Sequence, residues 1–356
     1  MSIKDIKHPI IFVDLHHAGL YQSLQMLVED RLGGTLLRPI GTEWFEKGLW
    51  HNAEIYLNHP DTIKQYLEIR NTIPTKMGPR NNVVGEEEEM YLVENAFKTE
   101  HAVTYDQFMK IKPDIIMCSY IGNLESYSKL AKELGIPLVL QMGNVWAIPW
   151  DQVDNVMAST GKFQIPPNKH VIFYHQEIDL KTFYKGDYTY DSKLLTSFVN
   201  CLAEHEIHRK SWEDFQALEK LMPEYTFKSY GIENRDGTVT EQKDVADIMR
   251  QSKFGIQLKG FGDGFGHTLF DWFALGKPVI FRGSQYKDKL AEAHLIHGVT
   301  GFDLDQISLE ALKDKIIGIS TTDYADMCDN VYRIFQENLD FEAETMRIKE
   351  FLENLQ

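Results

Sequence analysis

The sequence contains few cysteines and no long apolar run, and both absences narrow the class of protein. Its three cysteines, Cys118, Cys201 and Cys328, are odd in number, far apart and in no metal-binding spacing, which argues against a disulfide framework and favours a reduced compartment. No stretch approaches the roughly eighteen apolar residues of a membrane-spanning helix. The apolar run before Leu15 is too short for a signal peptide. We therefore expect a cytoplasmic protein without a membrane span.

Positive charge is also scarce, because 37 Lys and Arg face 53 Asp and Glu and give a net charge of −16. An acidic surface does not attract nucleic acid or anionic membrane by itself, so a nucleic-acid partner is disfavoured, although a local basic patch would leave it open. Low-complexity segments and clear internal repeats are absent as well. At 356 residues the chain is long enough for two domains of ordinary size.

The most informative stretch runs from Leu258 to Ile280 and reads LKGFGDGFGHTLFDWFALGKPVI. Four glycines fall within seven residues, after an apolar strand and before a helical pattern that stops at Gly276. The order is therefore strand, glycine-rich loop, helix and strand. Glycines let the backbone approach a ligand closely, and the helix start behind them offers free N–H groups and a positive dipole end. This pattern predicts an anion site.

Two carboxylates frame that site, Asp263 on the loop and Asp271 eight positions later in the helix. A nucleotide-sugar has sugar hydroxyls, a diphosphate and a ribose diol to be held. Carboxylates accept hydrogen bonds from hydroxyls, while loop and helix amides suit the diphosphate. The alternative is a plain strand–loop–helix junction with solubilising aspartates, and the spacing alone does not decide between the two.

These residues resemble the E-G-F-G-x-x-x-x-E-A-x-A-x-G-x-P-V signature of retaining glycosyltransferases with the GT-B fold, the glycogen-synthase-like and sucrose-synthase-like group. The match covers Asp263-Gly264-Phe265-Gly266, Asp271, Ala274, Gly276, Pro278 and Val279. Both family glutamates are aspartates here, whose side chains are one methylene shorter and reach less far.

The resemblance implies a role for each matching residue. Asp263 would hold sugar hydroxyls and Asp271 the ribose diol. The backbone of Gly264, Phe265 and Gly266 would contact sugar and phosphate. Three further residues would lie beside the diphosphate: His267 and Thr268 at the helix start and Lys259 at the end of the preceding strand.

The first half of the chain has the rhythm of a doubly wound α/β domain. Pro9–Leu15 is a predicted strand, and residues 112–142 alternate strand, helix and strand. We place His17 and Gly19 on the acceptor or sugar side, because ligands bind at the carboxyl ends of such strands. Asn144 stands where family members often carry a histidine near the donor sugar. Residues 35–105 carry aromatic rings beside polar groups, which suits either sugar stacking or core packing, and their role stays open.

In the second half, Arg209-Lys210 heads a predicted helix near the place where the family carries a basic pair that neutralises the donor diphosphate. Two cations opposite two phosphates would stabilise the leaving group. A basic pair on a helix surface is the alternative. His205 and His208, three positions apart, also leave a metal site open, although no third ligand lies nearby in the sequence.

Taken together, the pattern and the resemblance predict an α/β protein with the GT-B fold, two Rossmann-like doubly wound domains facing across a cleft. We expect an acceptor-side domain over 1–185, a donor domain over 186–330 and a last helix, 331–356, that crosses back to the first domain. The expected activity is transfer of a sugar from a UDP- or GDP-linked donor, with retention and without a metal or other cofactor. The acceptor hydroxyl would belong to a carbohydrate, a small molecule or a macromolecule.

Three alternatives remain at this point. One is an epimerase or hydrolase on the same fold. Another is a catalytically silent nucleotide-sugar-binding protein, which the two shorter carboxylates make conceivable. The third is a viral-type transferase that glycosylates hydroxymethylated DNA bases, which the acidic net charge disfavours.

Overall fold

A computed structural model describes residues 8–14, 18–40, 43–51, 101–143, 147–239, 241–260 and 264–355. The chain forms two compact units. The first contains Met1–Ser159, Phe163–Glu177 and Phe341–Gln356, and the second contains Thr160–Lys162 and Ile178–Asp340. Within the described ranges, none of the helices combines the length and the apolar character that a bilayer crossing requires.

The first unit is built on a parallel sheet of seven strands in the order β3-β2-β1-β4-β5-β6-β7. The strands are β1 (Ile10–Val13), β2 (Thr35–Pro39), β3 (Ala102–Val103), β4 (Ile115–Cys118), β5 (Leu138–Met142), β6 (Asn155–Ala158) and β7 (His170–Phe173). Its helices are α1 (Ala18–Gln25, continued by a π-helix over Met26–Arg31), α2 (Glu43–Glu46), α3 (Tyr105–Ile111), α4 (Leu124–Leu134) and, from the end of the chain, α10 (Phe341–Glu353).

Both faces of this sheet are buried, which is why its strands are almost continuously apolar. Side chains alternate between the faces of a strand. Ile11 and Val13 therefore pack in one apolar cluster and Phe12 in the other. The last helix joins the cluster of Ile11 through side chains that include Phe351 and Leu352.

The second unit is built on a parallel sheet of five strands in the order β12-β11-β10-β8-β9. The strands are β8 (Leu194–Ser197), β9 (Thr226–Ser229), β10 (Phe254–Gln257), β11 (Val279–Phe281) and β12 (Gly301–Asp303). The helices are α5 (Arg209–Leu221), α6 (Gln242–Gln251), α7 (His267–Ala274), α8 (Leu309–Gly318) and α9 (Thr321–Asn338). Short 3₁₀ turns cover Glu206–His208, Gly283–Gln285 and Leu290–His294.

Each sheet has a topological switch point, where consecutive connections leave in opposite directions and ligands of such folds bind. In the first unit it lies between β1 and β4, and in the second between β8 and β10. The predicted α/β class with two doubly wound sheets is confirmed.

The boundaries of the units and of the last helices differ from those that the sequence pattern favours. Apart from Thr160–Lys162, the chain changes unit between Glu177 and Ile178 and again between Asp340 and Phe341, whereas the predicted boundaries are 185/186 and 330/331. The last helix, predicted over 331–356, is also divided: its first residues belong to α9, which ends at Asn338, and α10 begins at Phe341. The break at Leu339-Asp340 contains neither glycine nor proline, so the sequence there carries no breaker residue.

Candidate functional site

The glycine-rich loop leads into helix α7 through Gly266, whose φ of 81° lies in the left-handed region that glycine adopts without strain. The Gly266 carbonyl accepts hydrogen bonds from Leu269 N–H at 2.8 Å and Phe270 N–H at 3.1 Å, so the helix begins at His267. The first amides of a helix, here those of His267 and Thr268, point out of its N-terminus. Together with the helix dipole they suit an anion, at the carboxyl end of β10 beside the switch point.

Phe265 anchors the loop instead of facing a ligand. Its side chain is buried and stacks on Phe270, with ring centroids 4.3 Å apart and planes 3° from parallel. Gly264 and Gly266 on either side are buried as well. Because the aromatic side chain is committed to the core, this segment can offer a ligand only its backbone. That arrangement suits the backbone contacts predicted for Gly264–Gly266.

Asp271 lies one helical turn after His267 on α7. It keeps part of its surface open, but enough protein surrounds its carboxyl group that burial raises the pKa well above its usual range. No charged neighbour contributes to that shift. A carboxyl group that burial destabilises in its charged form, on the helix that bears the predicted anion site, is a candidate for binding hydroxyl groups of a ligand.

The raised pKa of Asp271 predicts how stability depends on pH. Because the folded-state pKa lies above the unfolded value of about 3.9, the folded chain holds the proton more tightly. The resulting stabilisation is complete below the unfolded pKa and is lost as pH rises through the raised folded pKa. The side chain of Asp271→Asn cannot ionise. The stability of this variant relative to the wild type should therefore increase as the pH rises from about 5 to about 8. Urea unfolding at both pH values measures this difference, and a difference independent of pH would contradict the assignment.

The start of the glycine-rich loop packs against the turn that precedes α5. Gly260 N–H donates to His208 Nδ1 at 3.0 Å. A Cβ atom on Gly260 would lie 2.2 Å from the Ile207 carbonyl oxygen, so only glycine fits. This contact brings Lys259, which is half-buried, close to the chain segment that carries the basic pair.

Both members of the predicted basic pair have carboxylate partners. Arg209 pairs with Glu206, and Lys210 pairs with Asp214 at 2.6 Å. Asp214 is buried and also pairs with Arg282, which follows β11 and extends to Asp305 at 2.9 Å. The Lys210 side chain is still 71% exposed, so its ammonium group can also contact a ligand in solvent.

His205 and His208 each accept a hydrogen bond from a backbone N–H at their Nδ1 atom. His205 Nδ1 accepts from Ile207 N–H at 3.3 Å, and His208 Nδ1 accepts from Gly260 N–H. Their ring centroids are 5.9 Å apart. Within the described part of the chain, no group of three or more His, Cys, Asp and Glu side chains is placed to hold a metal ion. The local role of both histidines is to fix the turn before α5.

The sequence matches no protein-family model and no curated protein. Solved structures of glycosyltransferases resemble it over nearly their whole length. Anabaena HepE in complex with UDP and glucose is 14% identical, with a TM-score of 0.60 over 98% of this chain and 100% of that chain. Sucrose-phosphate synthase from Thermosynechococcus elongatus is 12% identical, with a TM-score of 0.60 over 96% and 98%. UDP-forming alpha,alpha-trehalose-phosphate synthase from Burkholderia xenovorans is 12% identical, with a TM-score of 0.59 over 98% and 99%.

This chain has the GT-B fold. The identities are low, so the likeness establishes the fold and no more. The fold predicted from the glycine-rich signature and the strand pattern is confirmed.

In the first unit of this GT-B chain, Asp14 organises the switch point. It follows β1 and accepts hydrogen bonds from Ser119, at 2.6 Å from both N–H and Oγ, and from Asn123 Nδ2 at 3.1 Å. Burial raises the pKa of Asp14, and these hydrogen bonds oppose the shift. Asn123 also donates to the Trp50 carbonyl at 2.6 Å, so the carboxyl ends of β1 and β4 are tied to one loop.

Gly19 is the second residue of α1, at the carboxyl side of β1. Three other predicted site residues, His17, Asn144 and Asp263, lie outside the described residues. Their roles stay predictions.

Asp14, Asp214 and Arg282 were not identified from the sequence. Asp14 directly follows an apolar strand, at the edge of a doubly wound sheet where ligands bind. That position was the signal from which it could have been identified. Asp214 and Arg282 lie 68 positions apart, and no local pattern connects them.

Proposed function

We propose that this chain is a glycosyltransferase that moves a sugar from a nucleoside-diphosphate sugar to a hydroxyl acceptor. The observation that carries the proposal is Asp271, a carboxyl group with a burial-raised pKa, one turn into a helix whose glycine-capped N-terminus opens at a topological switch point. The likeness to GT-B enzymes, among them HepE in complex with UDP and glucose and a UDP-forming synthase, supports it.

In this proposal the second unit binds the donor. The amides of His267 and Thr268, with the backbone of Gly264–Gly266, bind the diphosphate. Asp271 accepts hydrogen bonds from the ribose diol, and Asp263 accepts them from sugar hydroxyls. The donor is UDP- or GDP-linked.

The sugar–phosphate bond breaks as the acceptor oxygen bonds to the anomeric carbon, and negative charge grows on the leaving diphosphate, whose departing oxygen takes the proton of the acceptor hydroxyl. The α7 N-terminus, Arg209, Lys210 and Lys259 stabilise that charge. We propose that they supply what a cation supplies elsewhere, so transfer needs no metal. The configuration at the anomeric carbon is retained by attack on the same face. No protein nucleophile or general base is assigned.

The acceptor carries a free hydroxyl and belongs to a carbohydrate, a small molecule or a macromolecule. We propose that His17, Gly19 and Asn144 lie on the acceptor or sugar side, because ligands of doubly wound folds bind at the carboxyl ends of strands.

Lys210→Met should lower kcat by about tenfold, because it removes one cation from the leaving diphosphate. The effect is moderate since Lys210 is largely exposed and is partly neutralised by Asp214. Steady-state release of nucleoside diphosphate measures it. Lys220→Met, in the last turn of the same helix α5, is the matched control because that lysine is also exposed. Equal kcat values for the two variants would remove Lys210 from the mechanism.

A thermal-shift screen of nucleotide-sugars identifies the donor, because a ligand that binds only the folded state raises the unfolding midpoint. The donor is then incubated with and without candidate hydroxyl acceptors, and the anomeric configuration of the product is read by NMR. Acceptor-dependent turnover with retention supports the proposal. Free sugar formed without acceptor indicates a hydrolase, and binding without turnover on any acceptor indicates a silent binding protein.

A further inference from the structure

Two aromatic side chains lie together at the ligand edge of the second sheet. Phe198 directly follows β8 and Tyr230 directly follows β9. Their rings stack, with centroids 5.4 Å apart and planes 29° from parallel. Both residues are partly exposed. Trp272 of α7, fully buried, lies behind Phe198 at 6.2 Å between ring centroids.

The strand register places this pair on the same face of the sheet as α7. Thr196 of β8 is paired with Gly255 of β10 and with Lys228 of β9. Neighbours in register share a face, and side chains two positions further on return to it. Phe198 and Tyr230 therefore lie on the face of Gly255, against which Trp272 packs so closely that a Cβ there would lie 2.5 Å from the indole.

Hydrogen bonds connect the two loops that carry Phe198 and Tyr230, and they form without a ligand. Asn234 Nδ2 donates to the Val199 carbonyl at 2.7 Å and to the Tyr230 carbonyl at 2.8 Å. The Ile232 carbonyl accepts from Cys201 N–H at 2.7 Å. A binding surface held in place in this way loses little conformational entropy when a ligand docks.

We propose that Phe198 and Tyr230 form the shelf on which the nucleobase of the donor stacks. This inference rests on the proposed donor site at α7. Strand β8 lies between β9 and β10, and strands are spaced about 4.8 Å apart. The shelf is thus one to two strand widths, about 5–10 Å, from the β10 loop. A ribose occupies the intervening space, within reach of Asp271.

Stacking on aromatic rings contributes affinity for any base, because every base has a π-face. The shelf therefore adds affinity for the nucleoside part of the ligand and none for the diphosphate part. A loss of affinity for the nucleoside part alone therefore indicates stacking, whereas a residue that only maintains the fold would affect binding of both parts.

The test is calorimetric titration of the full chain with UDP, GDP and inorganic pyrophosphate. Phe198→Ala and Tyr230→Ala should each weaken binding of the nucleoside diphosphate by about tenfold. Pyrophosphate, which has no base, should bind these variants as it binds the wild type. Tyr230→Phe keeps the ring and should bind like the wild type. Tyr184→Ala, which removes a 54% exposed tyrosine elsewhere in the second unit, is the control.

The outcomes distinguish the shelf from the function on which it rests. If the wild type binds UDP or GDP and both alanine variants bind it equally well, the shelf is excluded and the donor site stands. An equal loss of nucleotide and pyrophosphate affinity also excludes the shelf, because the effect is then structural. If the wild type binds no nucleoside diphosphate, the proposed function falls together with the shelf.

Discussion

Asp271→Ala should raise the KM for the nucleotide-sugar donor by roughly ten- to a hundredfold while leaving the fold intact. An ordinary hydrogen bond contributes about 0.5–1.5 kcal/mol, so the two that a diol can donate to the carboxyl group correspond to that range. The ligand-free chain should lose little stability, because the shift in the Asp271 pKa comes from burial alone and so reports a carboxylate that destabilises the folded state. Donor KM and the urea midpoint, measured on the same preparations, separate the two effects.

The control for this variant is Asp326→Ala, which removes an exposed aspartate from helix α9. It should change neither KM nor stability appreciably. An Asp271→Ala enzyme with unaltered KM would remove the ribose role, whatever the effect on stability.

Arg282→Met should lower the free energy of unfolding by about 3 kcal/mol, the usual cost of removing one partner from a buried ion pair. Arg282 forms an ion pair with Asp214, whose side chain is only 3% exposed. In the variant Asp214 would keep Lys210 as its charged partner. Arg282 also joins Asp305, and the loss of that contact adds to the effect. Urea unfolding followed by circular dichroism measures the change.

Arg333→Met is the matched control for Arg282→Met. Arg333 pairs with Glu337 on the surface of α9, where both side chains are more than half exposed, and such pairs contribute at most about 0.5 kcal/mol. Similar losses in the two variants would show that the Asp214 network has no special structural importance.

The sequence was most informative where a local pattern is sufficient. Short apolar runs between glycine and proline signals predicted the parallel strands, because both faces of these sheets are buried and the strands need no polar side. The glycine-rich signature predicted α7 and its N-terminus, since the loop conformation and the helix start depend on neighbouring residues only. Gly266, with its left-handed backbone, is where that local requirement is met.

The features that sequence reading missed depend on sheet order. Phe198 and Tyr230 are far apart in the chain and meet only because β8 and β9 are neighbours. Asp214 and Arg282 meet because α5 and the end of β11 converge. The division of the last helical stretch into α9 and α10 was also missed. Leu339-Asp340 holds no breaker residue, and the two helices bury their apolar faces in different clusters.

The central claim, that the α7 end of the second sheet binds a nucleoside-diphosphate donor without a metal, is tested most directly by one titration. The full chain is titrated calorimetrically with UDP and, separately, with GDP in a buffer containing EDTA. The account predicts saturable binding of at least one of them at one site per chain, with an affinity that Asp271→Ala weakens by at least about tenfold. Binding of neither nucleotide, or binding that appears only when a divalent metal replaces the EDTA, would contradict it.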